Sequence, residues 1–278
     1  MWPMDRQKDS WQSISTTFAR DTLSMLRFFT RLPIPAISFE RDIHAMPDFT
    51  SAVRALPLAG ALIGALGAVV VVCASGIGLP DQLVAVLAMM ALVLVTGAMH
   101  EDGLADVADG FGGGSTLARK LEIMKDSRLG TYGVVALMLV TLARWTILSA
   151  LIGHYGAGLS ALSLMVGAAV SRAACVVPMW LLPPARLDGA GFAAARPQSQ
   201  AMAICAGSAV LIAFILLGFE PIGIKRLIAG LMCAGLSALV LTELSRRQIH
   251  GQTGDVAGAA QQISELAFCA ALLFRSTL

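Results

Sequence analysis

From Glu101 to Gly114 the chain reads E-D-G-L-A-D-V-A-D-G-F-G-G-G, which spaces Asp102, Asp106 and Asp109 four and three residues apart. On a helix turning about 100° per residue, the three carboxylates fall within roughly 60° of one another. Like charges that close repel and raise each other's pKa. A hard divalent cation relieves the repulsion, and magnesium in particular is held by carboxylates shared with substrate phosphates. Asp102, Asp106 and Asp109 are therefore read as metal ligands for Mg2+ and phosphate chemistry. Asp126 and Asp255, from other segments, would complete the shell or act as a base. The plainer alternative, a solvated acidic turn, does not account for the glycine flanks or the repeated small-residue–Asp pattern.

Cations follow the acidic run. Arg119, Lys120, Lys125 and Arg128 come within about twenty residues, Arg186 and Arg196 belong to a second segment, and Arg246 and Arg247 to a third. Arginine grips phosphate through two parallel N–H bonds, while lysine acts as a point charge. Lys125 and Arg128 flank Asp126, which singles out that trio. Among the glycines Gly110, Gly112, Gly113 and Gly114, backbone N–H groups can approach an anion closely. Together these groups would hold a diphosphate and offset charge building on a leaving phosphate. Anchoring at a membrane face is the plainer reading of any one cation. His44, His100, His154 and His250 read as structural.

The elements that must carry these residues are apolar helices. The chain has 278 residues, 56% apolar and 14% charged, with mean hydropathy +0.75. Apolar runs at 57–76, 83–99, 133–152, 159–182, 201–219, 227–243 and 256–274 each approach the roughly 20 residues a bilayer needs. The fold class expected is all-α: a polytopic membrane bundle of about 6–8 spanning helices. The run at 256–274 is the weakest span, because it holds Gln261, Gln262 and Glu265. A soluble α protein is excluded, since so many apolar runs would leave little chain to cover them.

With a cytoplasmic N-terminus, the cytoplasmic segments hold 15 Lys/Arg and the external ones 3, a clear positive-inside bias. It puts the segment 101–132, with the acidic run, on the cytoplasmic side. Arg144 and Arg172 lie inside spans, where a charge needs a partner or a wet cavity. Residues 11–32 read as an interfacial helix, with Trp11, Ile14, Phe18, Met25 and Phe29 on one face and Arg20, Arg27 and Arg31 reaching lipid phosphates. Pro33 and Pro35 end it. Ser115 is the expected cap of a short helix through Leu121 to Met124. Residues 1–278 form a single membrane domain with its bundle at 57–274, and Gly60, Gly64 and Gly67 give a small-residue face that permits a homo-oligomer.

Several chemistries are absent. The five cysteines all sit in apolar runs without a C-x-x-C spacing, so they read as small buried hydrophobes. There is no P-loop G-x-x-x-x-G-K, no H-E-x-x-H and no G-x-S-x-G elbow. An intramembrane aspartyl protease needs G-x-G-D, but Gln252 stands at the first glycine before Thr253-Gly254-Asp255. The N-terminus is too polar for a cleavable signal. No nucleic-acid partner is expected from a net charge of +2.

These residues also carry a resemblance. The blocks T-R-L-P-I-P (Thr30 to Pro35), L-P-L-A-G-A-L-I-G (Leu56 to Gly64), T-G-A-M-H-E-D-G-L-A-D-V-A-D-G-F-G-G-G (Thr96 to Gly114), L-E-I-M-K-D-S-R-L-G-T-Y-G (Leu121 to Gly133) and T-G-D-V-A-G-A (Thr253 to Ala259) resemble those of the adenosylcobinamide-GDP ribazoletransferase (cobalamin-5′-phosphate synthase) family. One departure is His250, where a glycine is expected before Gly251. The resemblance implies a multi-pass enzyme of the bacterial inner membrane, with its active site facing the cytoplasm. It would join adenosylcobinamide-GDP to α-ribazole or its 5′-phosphate and release GMP, with Mg2+ as cofactor. Membrane lipid and other cobalamin-pathway enzymes are the implied partners. On that footing Asp106, Asp109, Lys125, Asp126 and Asp255 are the catalytic candidates, with the proton passing to Asp126 or Asp255. Arg119, Arg128, Arg186, Arg196, Gly112 and Gly113 are the substrate-binding candidates. The rivals are a CDP-alcohol phosphotransferase, which carries arginine where this chain has Asp106, a cation-coupled transporter and a membrane scaffold.

Overall fold

The structure is a computed structural model that describes residues 5–36 and 46–274; side chains are described from Thr17 onward, Ala190 excepted. The expectations for His44 and for the side chains of Trp11 and Ile14 fall outside that range. Among the described residues the chain is helical, without a β-strand: α1 (Asp5–Phe29), α2 (Phe49–Ala52), α3 (Leu56–Gly76), α4 (Asp81–Thr96), α5 (Met99–Gly113), α6 (Leu117–Ile123), α7 (Thr131–Cys175), α8 (Val177–Leu181), α9 (Ala190–Ala193), α10 (Ser199–Leu217), α11 (Ile224–Ile249) and α12 (Gly254–Ala271).

Local chemistry sets several boundaries. Pro33 and Pro35 lie just past the end of α1, as the sequence requires. Thr116, not Ser115, caps α6, its hydroxyl accepting from Arg119 N–H at 3.3 Å. At the end of α4, Gly97 (φ 65°) and Ala98 (φ 59°) both adopt the left-handed conformation, and the chain turns by 88° into α5. His250 closes α11 at φ 54°. That is the conformation glycine takes most cheaply, which explains why a glycine is expected there.

Four stretches are long and apolar enough to cross a membrane: Phe49–Gly76, Thr131–Leu181, Ser199–Leu217 and Ile224–Ile249; the bent pair α4–α5 supplies a fifth when taken as one. Their outward faces carry Val69, Leu94, Leu139, Ile215, Met232 and Leu236, all more than half exposed. That is an apolar surface suited to lipid and costly in water. The chain is an all-α polytopic membrane protein.

The runs at 133–152 and 159–182 are two helices divided at Gly156 (φ 78°, ψ 170°), as expected; Arg144 from the first and Arg172 from the second line one pocket with Glu101 and Glu265, so the chain folds back there. One of the seven expected spans needs correction. The run at 256–274 is α12, which does not pass as a span. Gln261, Gln262 and Glu265 make it too polar, and all three are buried. This helix forms the centre of the bundle and packs on α5, α7 and α11.

Small residues bring the helices close. A Cβ on Gly60 would lie 2.5 Å from the Ala168 carbonyl oxygen, and one on Gly64 2.8 Å from Met165 Cα. Gly67 packs against Leu92. The face that would permit an oligomer is thus used within the chain, between α3, α7 and α4. The C-terminal end of the apolar face of α1 is likewise covered by protein: Met25 and Phe29 are buried, and Phe29 meets Phe49 and His100. Its arginines brace the chain, Arg27 donating to the carbonyls of Ile34 and Pro35.

A buried polar cluster holds the centre. Arg144 of α7 reaches Glu101 at 3.1 Å and Glu265 at 2.8 Å, and donates to Gln262 Oε1 at 2.8 Å. Gln261 donates to Glu265 and to Ser171. Arg172, 3% exposed, donates to the Ala168 carbonyl.

Candidate active site

The 88° bend after α4 turns α5 away from the α4 axis, so the acidic helix does not continue the apolar one. The acidic helix crosses α12 through glycines: a Cβ on Gly103 would lie 2.9 Å from the Asp255 carbonyl oxygen, and one on Gly258 3.3 Å from His100 Cα. The close crossing sets Asp102 and Asp106 beside Asp255, which opens α12. Three segments remote in sequence meet here. Lys125 pairs with Asp188, Arg186 reaches Asp255 at 3.3 Å, and Lys120 donates to Gln248. Main-chain bonds join Ala185 N–H to the Gln252 carbonyl (2.8 Å) and Gln252 N–H to the Pro183 carbonyl (2.9 Å). The segments placed on one side by the charge bias do share one side.

The electrostatics centre on Asp106. Partial burial, then the charges of Asp102, Asp255 and Asp109, push its carboxyl up to about 7, with Arg186 opposing. Burial also raises Asp255, against the pull of Arg186 and a hydrogen bond from Thr253 Oγ1 at 3.1 Å. Arg186 keeps one buried nitrogen, Nη1, without a hydrogen-bond partner.

Asp109, one of the expected metal ligands, also has a structural use. It is buried, and its two oxygens accept from Gly130 N–H (2.7 Å) and Gly133 N–H (2.8 Å) at the start of α7. A Cβ at Gly130 or Gly133 would run into that carboxylate. Asp109 therefore caps α7 and ties it to α5.

The remaining candidates divide. Asp126 accepts from the Arg128 guanidinium at 2.6 to 3.1 Å and from its backbone N–H at 3.1 Å, and those bonds hold its carboxyl down at about 2. A carboxylate so stabilised is a poor proton acceptor. Arg119 pairs with Glu122 at 2.8 Å on the surface. Asp109, Arg119, Asp126, Arg128, Gly113 and Tyr132 line one open cleft of about 360 Å3. Gly112 lies beneath the Tyr132 ring. Arg196 stands apart, donating to the Trp180 carbonyl at 2.8 Å. Sequence reasoning missed Asp188 as the partner of Lys125. It also left the partners of Arg144 unnamed, although Glu101 borders the acidic run.

Among the described residues no three His, Cys, Asp or Glu side chains converge as a metal cage. Magnesium does not require one, since one or two carboxylates with substrate phosphates suffice. Asp102 and Asp106 fit that demand: their mutual repulsion, visible in the raised Asp106 carboxyl, is what a divalent cation relieves. Asp109 is partly committed, each of its oxygens accepting one main-chain bond.

An apolar helical bundle crossed by an acidic helix, with arginines from a neighbouring loop facing the carboxylates, defines a membrane protein built to handle a charged ligand at its surface. The sequence model of the family described as cobalamin-5-phosphate synthase matches residues 21–273. Curated relatives are named adenosylcobinamide-GDP ribazoletransferase. The protein of Azorhizobium caulinodans is 46% identical over 91% of this chain and 95% of its own. That of Xanthobacter autotrophicus is 48% identical over 92% and 96%, and that of Rhizobium etli 41% over the same shares. No solved structure matches significantly. The chain belongs to the cobalamin-5-phosphate synthase family.

Proposed function

We propose that the face formed by α5, the start of α12 and the loop carrying Arg186 is the active site of an adenosylcobinamide-GDP ribazoletransferase. The reaction joins adenosylcobinamide-GDP to ribazole and releases GMP. One observation carries the assignment of the site: Asp106, with its carboxyl pushed to about 7 among Asp102 and Asp255, faces an arginine whose Nη1 has no partner. Carboxylates for a cation and a guanidinium for a phosphate are the groups that diphosphate chemistry needs.

Arg186 is placed to grip the donor diphosphate, with Arg119 and Arg128 in the adjoining cleft. Magnesium held by Asp102 and Asp106 would supply charge neutralisation at the phosphates. The acceptor hydroxyl attacks the phosphorus on the cobinamide side, in line with departing GMP. Asp255 takes the hydroxyl proton: burial raises its carboxyl, while Arg186 keeps it ionised. Asp126 is passed over for that role because Arg128 stabilises its charged form. Lys125, paired with Asp188, is assigned to offset charge on GMP as it leaves. Asp109 contributes by fixing α5 against α7. The excess of Lys/Arg in the segments assigned to one side by the sequence supports a cytoplasmic orientation in the bacterial inner membrane.

Purified protein given adenosylcobinamide-GDP and α-ribazole should release GMP, and a CDP-linked alcohol donor should yield no CMP. Release of CMP in place of GMP would contradict the reading.

A further inference from the structure

A second cleft, about 160 Å3 in volume, opens beside the acidic face and shares Asp102 and Asp255 with it, while its other walls have no part in the chemistry above. Its walls are apolar and aromatic. Phe28, Phe29 and Phe49 meet edge to face, with ring centroids 4.9 to 6.4 Å apart. His100 stacks flat on Phe29, at 5.5 Å and 6° between planes. Met179 of α8 and Ala257 of α12 close the sides. Asp102 and Asp255 stand in the same lining, so the cleft has an apolar body and an acidic margin.

Its size and chemistry select a ligand. A cavity of about 150 Å3 with apolar walls accepts a benzene-sized ring. A corrin ring is several times too large. Guanine fits in size but brings a hydrogen-bonding edge of several donors and acceptors. Asp102 and Asp255 could accept from its N–H groups at one margin, but its O6 and N7 would face apolar walls unpaired. His100, stacked on Phe29, has a buried Nε2 without a hydrogen-bond partner. A dimethylbenzimidazole carries two methyl groups and one free ring nitrogen, an apolar plane with a single polar atom.

We propose that this cleft, between the aromatic cluster of Phe28, Phe29 and Phe49 and the side chains of Met179 and Ala257, binds the benzimidazole base of the nucleoside acceptor, with its ribose at the Asp102 and Asp255 margin. The inference rests on the acceptor being a ribazole. It adds the residues that select the base, and it places the ribose hydroxyls beside the proton acceptor.

The test uses the full-length protein in detergent, with Ala257→Leu to narrow the cleft and Met179→Ala to widen it. The Kd values of α-ribazole and of its analogue without the two methyl groups are measured by the fluorescence of the base. In the narrowed variant, preference for the dimethyl base over the unmethylated one should fall about tenfold. In the widened variant it should stay or rise, and a larger tricyclic base should gain affinity. The ratio does not depend on how much protein is folded. Unchanged ratios in both variants would overturn the proposal, as would a lipid chain holding the cleft while α-ribazole binds normally, or a loss confined to adenosylcobinamide-GDP. If the wild type binds α-ribazole with these shifts yet releases no GMP, the assigned reaction fails and the base site stands.

Discussion

Asp106 illustrates how a functional residue can work against the fold that holds it. Its carboxyl is pushed to about 7 by burial and by its acidic neighbours, against 3.9 in an unfolded chain. The folded protein therefore binds this proton more tightly. The stabilising effect is fully present below about pH 4 and is lost as pH rises through about 7. Asp106→Asn removes the charge that causes the loss. In chelator, Asp106→Asn should melt several degrees above wild type at pH 8 and no higher at pH 5, as read by thermal scans. Magnesium should raise the wild-type melting temperature at pH 8 and leave the variant unmoved. The acidic cluster was legible in the sequence because three aspartates at helical spacing have few uses. The division of labour within it was not. Asp109 matches Asp102 and Asp106 in type and phase, and only the approach of Gly130 and Gly133, over twenty residues away, turns it into a cap.

At the scale of elements, that cap makes Asp109 a structural joint. Asp109→Ala would leave the N–H groups of Gly130 and Gly133 without an acceptor, at a cost of about 1–3 kcal/mol. Denaturation in mild detergent should show the loss, and activity should fall with the folded fraction. The Arg144 cluster is the second joint, tying α7 to α5 and α12. Arg144→Met strands Glu101 and Glu265 as buried charges, on the order of 3–5 kcal/mol, so little folded protein should be recovered. Arg144→Met combined with Glu101→Gln and Glu265→Gln should recover more. The sequence marked Arg144 as needing a partner, and the polar residues of the run at 256–274 as odd for a span. It could not join the two facts, because complementarity between helices over a hundred residues apart leaves no periodic trace. The 88° turn after α4 was equally hidden, since it rests on two successive left-handed residues, one of them an alanine.

For the molecule as a whole, helix content and the apolar character followed directly from hydropathy. The number of spans did not. Length windows cannot distinguish a lipid-facing helix from α12, which is apolar enough to resemble one but sits at the centre with its glutamines and Glu265 satisfied by Arg144 and Ser171. The orientation is open to a direct check. A cysteine introduced at Ser115, beside the acidic face, should react with a membrane-impermeant thiol reagent in inverted vesicles and stay unlabelled in intact cells; the reverse pattern would put the face outside. The measurement that bears most directly on the catalytic claim is GMP release from adenosylcobinamide-GDP and α-ribazole, by wild type and by Asp106→Asn matched for folded protein, with magnesium and with chelator. Wild type should turn over only with the metal, and Asp106→Asn should lose at least a hundredfold, the order expected when electrostatic stabilisation of the transition state is removed. Near-normal release by Asp106→Asn, or full wild-type activity in chelator, would contradict the role given to this acidic face.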